Sequence, residues 1–593
     1  MRSFIKFFFA ALLAIFAFCF ILFIIVAGIS SMAGDEQFVV EDSSILHLTF
    51  ENPIVDRHNE DGLQFDLNTF QPMKKDGLNN ILKQIAKAKM DDRIEGIFLD
   101  MTGASAGLAT LQEIRDALED FKTSGKWIAA YSDGFSQSGY YLASTANEIY
   151  MQPEGMLDFR GLSSDITFVK GLLEKIGVEV QVIRPTNNKF KSAVEPFILD
   201  SMSVANEEQL TRILQSIWDH MADDISTSRG LTRDQLEDAV ENLKSRNAES
   251  ATEAGLITDG KYRDEMMGLL MDKVQAEEED DLTFVSLGQY SRSKVKDFVD
   301  LEKKRAKESV AVIYANGGID VGKSDDESIG SDDLATLISD ARKDSSIKAI
   351  VLRVNSPGGS ALASDVIWRE MTLAKESKPV IVSMGNVAAS GGYYISCSAD
   401  KIFASETTIT GSIGVFGMIP NTEELNEDIL GINHDGVKTH EFSDIMDINR
   451  PLRNSERALW QEAVDNIYDD FTGKVADGRS VEQEYVNSIG QGRVWSGVDA
   501  LDNKLIDAFG GLDEAIAEAV NMASLEEYRI INYPEQKPPL EQIMEDLTGQ
   551  TKIDAIKELT GGETALYMKI KEYQRIMSMT GVQARMPFIL EFN

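Results

Sequence analysis

The chain is poor in the residue types that organise metals, thiols and nucleic acids. Only two cysteines occur in its 593 residues, Cys19 and Cys397. Neither has a metal-ligand spacing, and a disulfide between them would tie an apolar N-terminal run to a distant domain. The five histidines, His47, His58, His220, His434 and His440, are scattered and form no HExxH pattern, so nothing supports a zinc site. Positive charge is scarce: 58 Lys and Arg stand against 97 Asp and Glu, a net charge of −39. That excess repels phosphate backbones and argues against a nucleic-acid partner. Its ordinary consequence is solubility. Beyond the first segment, no apolar run approaches membrane-spanning length.

That first segment is different. Arg2 and Lys6 precede an uncharged stretch over residues 7–34, whose core reads "FFFAALLAIFAFCFILFIIVAGI". It is long enough to cross a bilayer as a helix, and longer than the roughly 7–15 apolar residues of a cleaved signal peptide. "SSMAG" offers an alternative, cleavage after Ala33, while Phe18 before Cys19 argues against lipoprotein processing. Cations ahead of the span predict a cytoplasmic N-terminus, with the remainder on the other side.

The remainder is long enough for several domains, and its apolar and charged fractions, 43% and 26%, are those of globular protein. Two parts of it repeat. "IEGIFLDMTGASAGLATLQEI" (94–114) aligns with "IKAIVLRVNSPGGSALASDVI" (347–367), and "FSQSGYYLASTANEIYM" (135–151) with "AASGGYYISCSADKIFA" (388–404), at one common offset without a gap. "ATEAGLITDG" (251–260) later resembles "ALDNKLIDAFG" (500–510). In each copy, β-rich runs alternate with amphipathic helical stretches, the pattern of βαβ units and parallel sheet. The expected division is 1–34, cytoplasmic tip and transmembrane anchor; 35–305, first copy; 306–537, second copy; and 538–593, a helical tail.

The copies differ where chemistry would sit. After its central strand the second copy reads Asn355-Ser356-Pro357-Gly358-Gly359-Ser360, the first Thr102-Gly103-Ala104-Ser105-Ala106-Gly107. Paired glycines let a turn expose N–H groups that would stabilise an oxyanion, although a Pro-Gly turn by itself is commonplace. Ser390 aligns with Gln137, so only the second copy has a serine between small residues ahead of a helix. A lone serine of this kind is either a nucleophile or an N-cap. A nucleophile needs a base, and no histidine falls in either motif; His434 and His440 are the nearest. A lysine serves if it is neutral. About one in a few thousand is neutral at pH 7 when its pKa is near 10.4, so burial must lower it by about 2–3 units. Lys191 in "NNKFKSAVEPF" is the candidate. The corresponding region of the second copy, "VKTHEFSDIMDIN", puts Ser443 near that position. Each copy thus carries one partner and lacks the other.

"KFKSAVEPF", "NSPGGS", "AASGGYYIS" and "TGSIGVFG", in this order behind an apolar anchor, resemble the long form of the bacterial signal peptide peptidase A family, also called protease IV. The resemblance covers nearly the whole chain, least well at the tail. It implies an α/β fold of two tandem ClpP/crotonase-like domains (a βαβ superhelix) behind one N-terminal transmembrane helix. It further implies a Ser–Lys dyad with Ser390 as nucleophile, Lys191 as general base and acid, and Ser412 orienting the lysine. Gly359 N–H would form the oxyanion hole, with Gly391 N–H adding to it. Asn187-Asn188-Lys189 departs from the expected glycine-containing lead-in, and "SAVEPF" selects Lys191 over Lys189. No metal, nucleotide or other cofactor is implied. The implied partners are remnant signal peptides and other apolar peptides, together with the chain's own copies in a homotetramer. The implied location is the bacterial inner membrane, single-pass, with periplasmic catalytic domains. Two other readings compete: a crotonase-type acyl-CoA enzyme, disfavoured by the export signal, and a non-catalytic membrane scaffold, disfavoured by the complete motifs of the second copy.

Overall fold

The computed structural model describes residues 38–57, 65–66, 71–72, 75–295, 306–324, 328–535 and 581–586. The anchor, the Glu302–Glu308 boundary in large part, and most of the tail lie outside them. Among the described residues, no helix is long and apolar enough to cross a membrane.

The repeat read in the sequence is a repeat of architecture. The first copy holds a parallel sheet in the order Asp259–Gly260, Glu148–Met151, Trp127–Ser132, Ile94–Asp100, Ser44–Leu48, Phe284–Ser286. The second copy repeats this core with Val380–Ala389, Ile347–Ser356, Ser309–Asn316 and Arg529–Tyr533, all parallel, and Lys401–Ala404 on its flank. Matching helices follow the central strands: Leu108–Lys122 and Ala361–Lys375, 15 residues each, then Val204–Arg229 and Asn454–Arg479, 26 each.

Strand periodicity explains how both sheet faces are covered. Side chains alternate sides along a strand. In the second copy Ile350, Leu352 and Val354 join the core shared with Ile367, Tyr393 and Phe471, while Ala349 and Val351 face Leu512 and Ile516 of the helix Leu512–Met522. In the first copy Ile97 and Leu99 face Ile114 and Tyr140, and Phe98 faces Met266 and Leu270. Covered faces account for the near-continuous apolar runs in these strands.

A third sheet joins the copies. Its order is Ser328–Gly330, Gly318–Asp320, Gly358–Ser360, Val582–Arg585, Phe416–Asn421, Glu179–Ile183. The last strand belongs to the first copy and pairs antiparallel with the second, Ile183 opposite Gly417 and Glu179 opposite Asn421. The helical expectation for 538–593 fails at Val582–Arg585, which is a strand because it has a pairing partner on each side. Backbone hydrogen bonds from two neighbours outweigh a weak local helical preference.

A buried ion cluster also crosses between the copies. Arg353, on the central strand of the second, is fully buried and reaches Asp56 at 2.8 Å and Glu113 at 2.6 Å, both from the first. Burial acts to lower its pKa, but the two carboxylates outweigh that and hold it above the ordinary range. Glu113 also accepts from the Leu512 N–H (3.1 Å), and Asn355 Nδ2 donates to Asp56 (3.2 Å). Removing one member strands a buried charge, at a cost of about 3–5 kcal/mol. Arg353→Ala is therefore expected to lower unfolding stability by about that amount and to lose activity with it. Denaturation of the variant at a wild-type midpoint would show that the cluster does not hold the copies together.

Candidate active site

Ser390 ends the strand Val380–Ala389 and precedes the helix Gly391–Ser396. Its backbone is held at φ 53°, ψ −110°, a region costing a non-glycine residue on the order of 1–3 kcal/mol. Ser390 N–H donates to Gly411 O (2.8 Å), and Ser390 O accepts from Tyr394 N–H (2.8 Å), which over-determines the turn. Its side chain caps no helix N–H, so the N-cap alternative does not apply. Gln137, its counterpart, follows an ordinary cap, Ser136, at φ −73°. The Gln137 amide accepts from the N–H groups of Arg160 and Gly161 and donates to Gly161 O. The first copy thus uses this position to brace a loop.

Lys191 comes from the first copy, shortly after the crossing strand Glu179–Ile183. Its approach is fixed on both sides. Phe190 N–H donates to Gln491 O (2.9 Å), and Gln209 Nε2 donates to Phe190 O (3.1 Å) and Ser192 Oγ (2.8 Å). Gly492, at φ +83°, lies so close that a Cβ there would stand 2.5 Å from Lys191 Cβ. The amine thereby sits 2.8 Å from Ser390 Oγ, 2.9 Å from Ser412 Oγ and 3.2 Å from Ser412 O. Lys191 is 1% exposed, and burial drives its ammonium well below the ordinary lysine range. Ser390 and Ser412 are fully buried.

Ser412 also has a left-handed backbone, φ 50°, with its N–H donating to Arg493 O (2.7 Å). Its hydroxyl lies 3.4 Å from Gly492 O, a direction that leaves an oxygen lone pair toward Nζ. The Ser390 hydroxyl has a second acceptor, Gly414 O at 3.2 Å.

The two glycine motifs meet beside Ser390. Gly358, at φ +90°, is so near Gly391 that a Cβ on it would stand 2.6 Å from Gly391 N. Gly359 lies in the strand Gly358–Ser360, opposite Ile319 on one side and Ala584 on the other. All five residues named from the sequence therefore fall in one region. Lys189 lies outside it, ion-paired to Glu208 at 3.2 Å. His434, His440 and Ser443 belong to an exposed segment and take no part. Cys397 is buried, and burial pushes its thiol up to about 12, so it is no competing nucleophile.

Several residues around the site escaped the sequence reading. Gly492 and Gln209 shape the lysine's channel together with Gly414 of the quoted motif "TGSIGVFG", and the tail strand Val582–Arg585 borders the Gly358-Gly359 turn. Only "GQGRVW" (490–495) carried a visible signal, two glycines close together shortly before an aromatic.

A serine hydroxyl held against an amine whose charged form burial disfavours, with turn N–H groups nearby, is an arrangement suited to acyl transfer. The comparisons agree. Residues 120–277 and 372–526 match the sequence profile of Peptidase family S49, once in each copy. The chain belongs to peptidase family S49. It is 37% identical over 495 residues to Protease 4 of Salmonella typhi, covering 81% of this chain and 77% of that protein. Protease 4 of Haemophilus influenzae is 34% identical over 530 residues, covering 85% and 83%. A plant relative, the chloroplastic serine protease SPPA of Arabidopsis thaliana, is 35% identical over 477 residues, covering 80% and 69%. Residues 301–410 also match the Clp protease profile, which fits tandem ClpP-like α/β domains. This S49 chain is a serine peptidase, and the acyl-CoA and scaffold readings fall away.

Gly492→Ala tests the lysine channel. A methyl 2.5 Å from Lys191 Cβ must displace the lysine. Displacement of about 1 Å costs on the order of 10²-fold in rate, so kcat is expected to fall by about that much in a folded protein. An unchanged kcat would mean that the channel does not position the amine.

Proposed function

We propose that this S49 peptidase is a membrane-anchored endopeptidase that degrades remnant signal peptides with a Ser390–Lys191 dyad. The reading rests on one observation above all: the 2.8 Å approach of Lys191 Nζ to Ser390 Oγ, with the two residues on different copies. Neutral Nζ takes the Ser390 proton as Oγ attacks the scissile carbonyl. The oxyanion accepts hydrogen bonds from the N–H groups of Gly359 and Gly391. Lysine, now charged, returns the proton to the leaving amine, and water resolves the acyl-enzyme by the same route. Ser412 accepts from Nζ and so aims its lone pair at Ser390. In a dry site, positioned dipoles act more strongly than in water.

Extended apolar peptides suit the cleft because its walls are strands. Substrate backbone takes the place of Val582–Arg585 between Gly358–Ser360 and Phe416–Asn421, and pockets on alternate sides select side chains. The apolar run at 7–34 is the anchor, holding the chain single-pass in a bacterial inner membrane with the catalytic domains in the periplasm. Self-association to a homotetramer is part of this reading. The exposed Ile429, Leu430, Ile432 and Val437 on one outlying segment support it.

Hydrolysis of an apolar reporter peptide tests the dyad. Ser390→Ala and Lys191→Ala are each expected to reduce kcat by at least about 10⁴-fold. Activity retained in both variants would exclude the dyad. The base must be neutral, so kcat/KM rises with pH through the folded-state pKa of Lys191 and then levels. Because burial lowers that pKa, the rise should be centred well below about 10.4. A limb centred at the ordinary lysine value would contradict a desolvated base.

A further inference from the structure

Lys189 stands two residues before the proposed base and takes no part in the site, yet its contacts lead back to it. Its Nζ lies 4.5 Å from the centre of the Phe190 ring and 3.2 Å from Glu208 Oε2. Glu208 Oε1 is 2.9 Å from Arg493 of the second copy. The Arg493 guanidinium lies 4.6 Å from the same Phe190 ring and 4.4 Å from the Trp495 ring. One carboxylate thus ties a cation from each copy, and both cations lie against Phe190. Attraction between a cation and a ring face adds to each ion pair. Phe190 is buried, although Lys189 and Glu208 are exposed.

Segment 491–493 connects this cluster to Lys191. Gln491 O accepts from Phe190 N–H (2.9 Å), and Arg493 O accepts from Ser412 N–H (2.7 Å). Between them the Gly492 backbone packs on Lys191, where a Cβ would stand 2.5 Å from the lysine Cβ. The same three residues therefore wall the lysine and brace the serine that its amine contacts. Gln209, next to Glu208, holds both chains: its amide donates to Phe190 O (3.1 Å) and accepts from Val494 N–H (3.4 Å). The Arg493 side chain adds a pin from this segment to Glu208.

We propose that Glu208 is a positioning residue for the general base: with Lys189 and Arg493 it forms a surface clasp that keeps segment 491–493 pressed on Lys191 and water out of its channel. The proposal rests on the Ser390–Lys191 reading. It gives Lys189 a part in the reaction other than proton transfer. Other titratable groups on the elements packed against this corner have their own partners. Glu195 accepts from Ser203 Oγ (2.6 Å), Arg212 pairs with Asp499 (2.5 Å), and the Tyr468 phenol, whose ionisation burial opposes, accepts from Gln491 N–H (3.2 Å). The turns 386–392 and 409–417, which carry Ser390 and Ser412, contain no charged residue.

Reporter hydrolysis by the full chain, followed against pH, tests the clasp. In Glu208→Ala the limb of kcat/KM set by the base is expected about 0.5–1 unit above the wild-type limb, because water readmitted to the channel relieves part of the desolvation. At pH values below both limbs, that lowers kcat/KM about 3–10-fold. The denaturation midpoint should stay close to wild type, since exposed ion pairs add little to stability. Lys189→Ala is expected to move the limb in the same direction, by less because Arg493 keeps its pair. Charge acting through space predicts otherwise: losing an anion lowers the limb, and losing a cation raises it. Shifts of opposite sign in the two variants, or limbs that coincide with the wild type, would overturn the clasp and leave the dyad standing. A wild-type limb at the ordinary lysine value would remove the dyad reading and the clasp with it.

Discussion

An amine buried away from water, with no charge partner among the described residues, is the constraint on which this structure depends. Burial disfavours an ammonium at Lys191, and the proposed dyad depends on that. Keeping it so requires a closed channel, and the channel has walls from both copies: Gln209 on one side, Gly492 and Gly414 on the other. The crossing strand Glu179–Ile183 and the Arg353 cluster hold those walls in register. The cluster is itself buried charge, but fully compensated. Burial thus has opposite settings at the two sites, one with carboxylates that stabilise a cation and the other without them, where a cation is disfavoured.

Duplication explains how such a site arises from one fold. Both copies place a short helix after a strand at the same point, and only the local backbone differs. Ser390 takes a strained turn tied to Gly411, whereas Ser136 and Gln137 form an ordinary cap and a loop brace. Neither position needs a different core.

Much of this was legible in the sequence because it is local. Parallel strands covered on both faces leave continuous apolar runs, and a gapless repeat marks two copies without any structure. Ser390 stood out by contrast with Gln137, and Lys191 through a contiguous motif. What stayed hidden is long-range. Gln209 lies on a helix whose polar residues look alike in sequence, and nothing local marks it as the contact of Phe190 O. The tail strand was read as helix because its pairing partners are more than 150 residues away and its own pattern is short. A strand inserted between two others takes its conformation from them.

The crossing strand has a consequence in time. A chain made from its N-terminus forward completes the lysine-bearing copy first, and domains generally fold as they emerge. At that stage Glu179–Ile183 has no partner, since Phe416–Asn421 has yet to be made, and Lys191 lacks the walls that Gly414 and Gly492 give it. On the proposed dyad, a newly synthesised chain is inert towards its neighbours by construction, with no separate inhibitor. On the proposed dyad, its chemistry begins only when the second copy closes over the first and dries the amine.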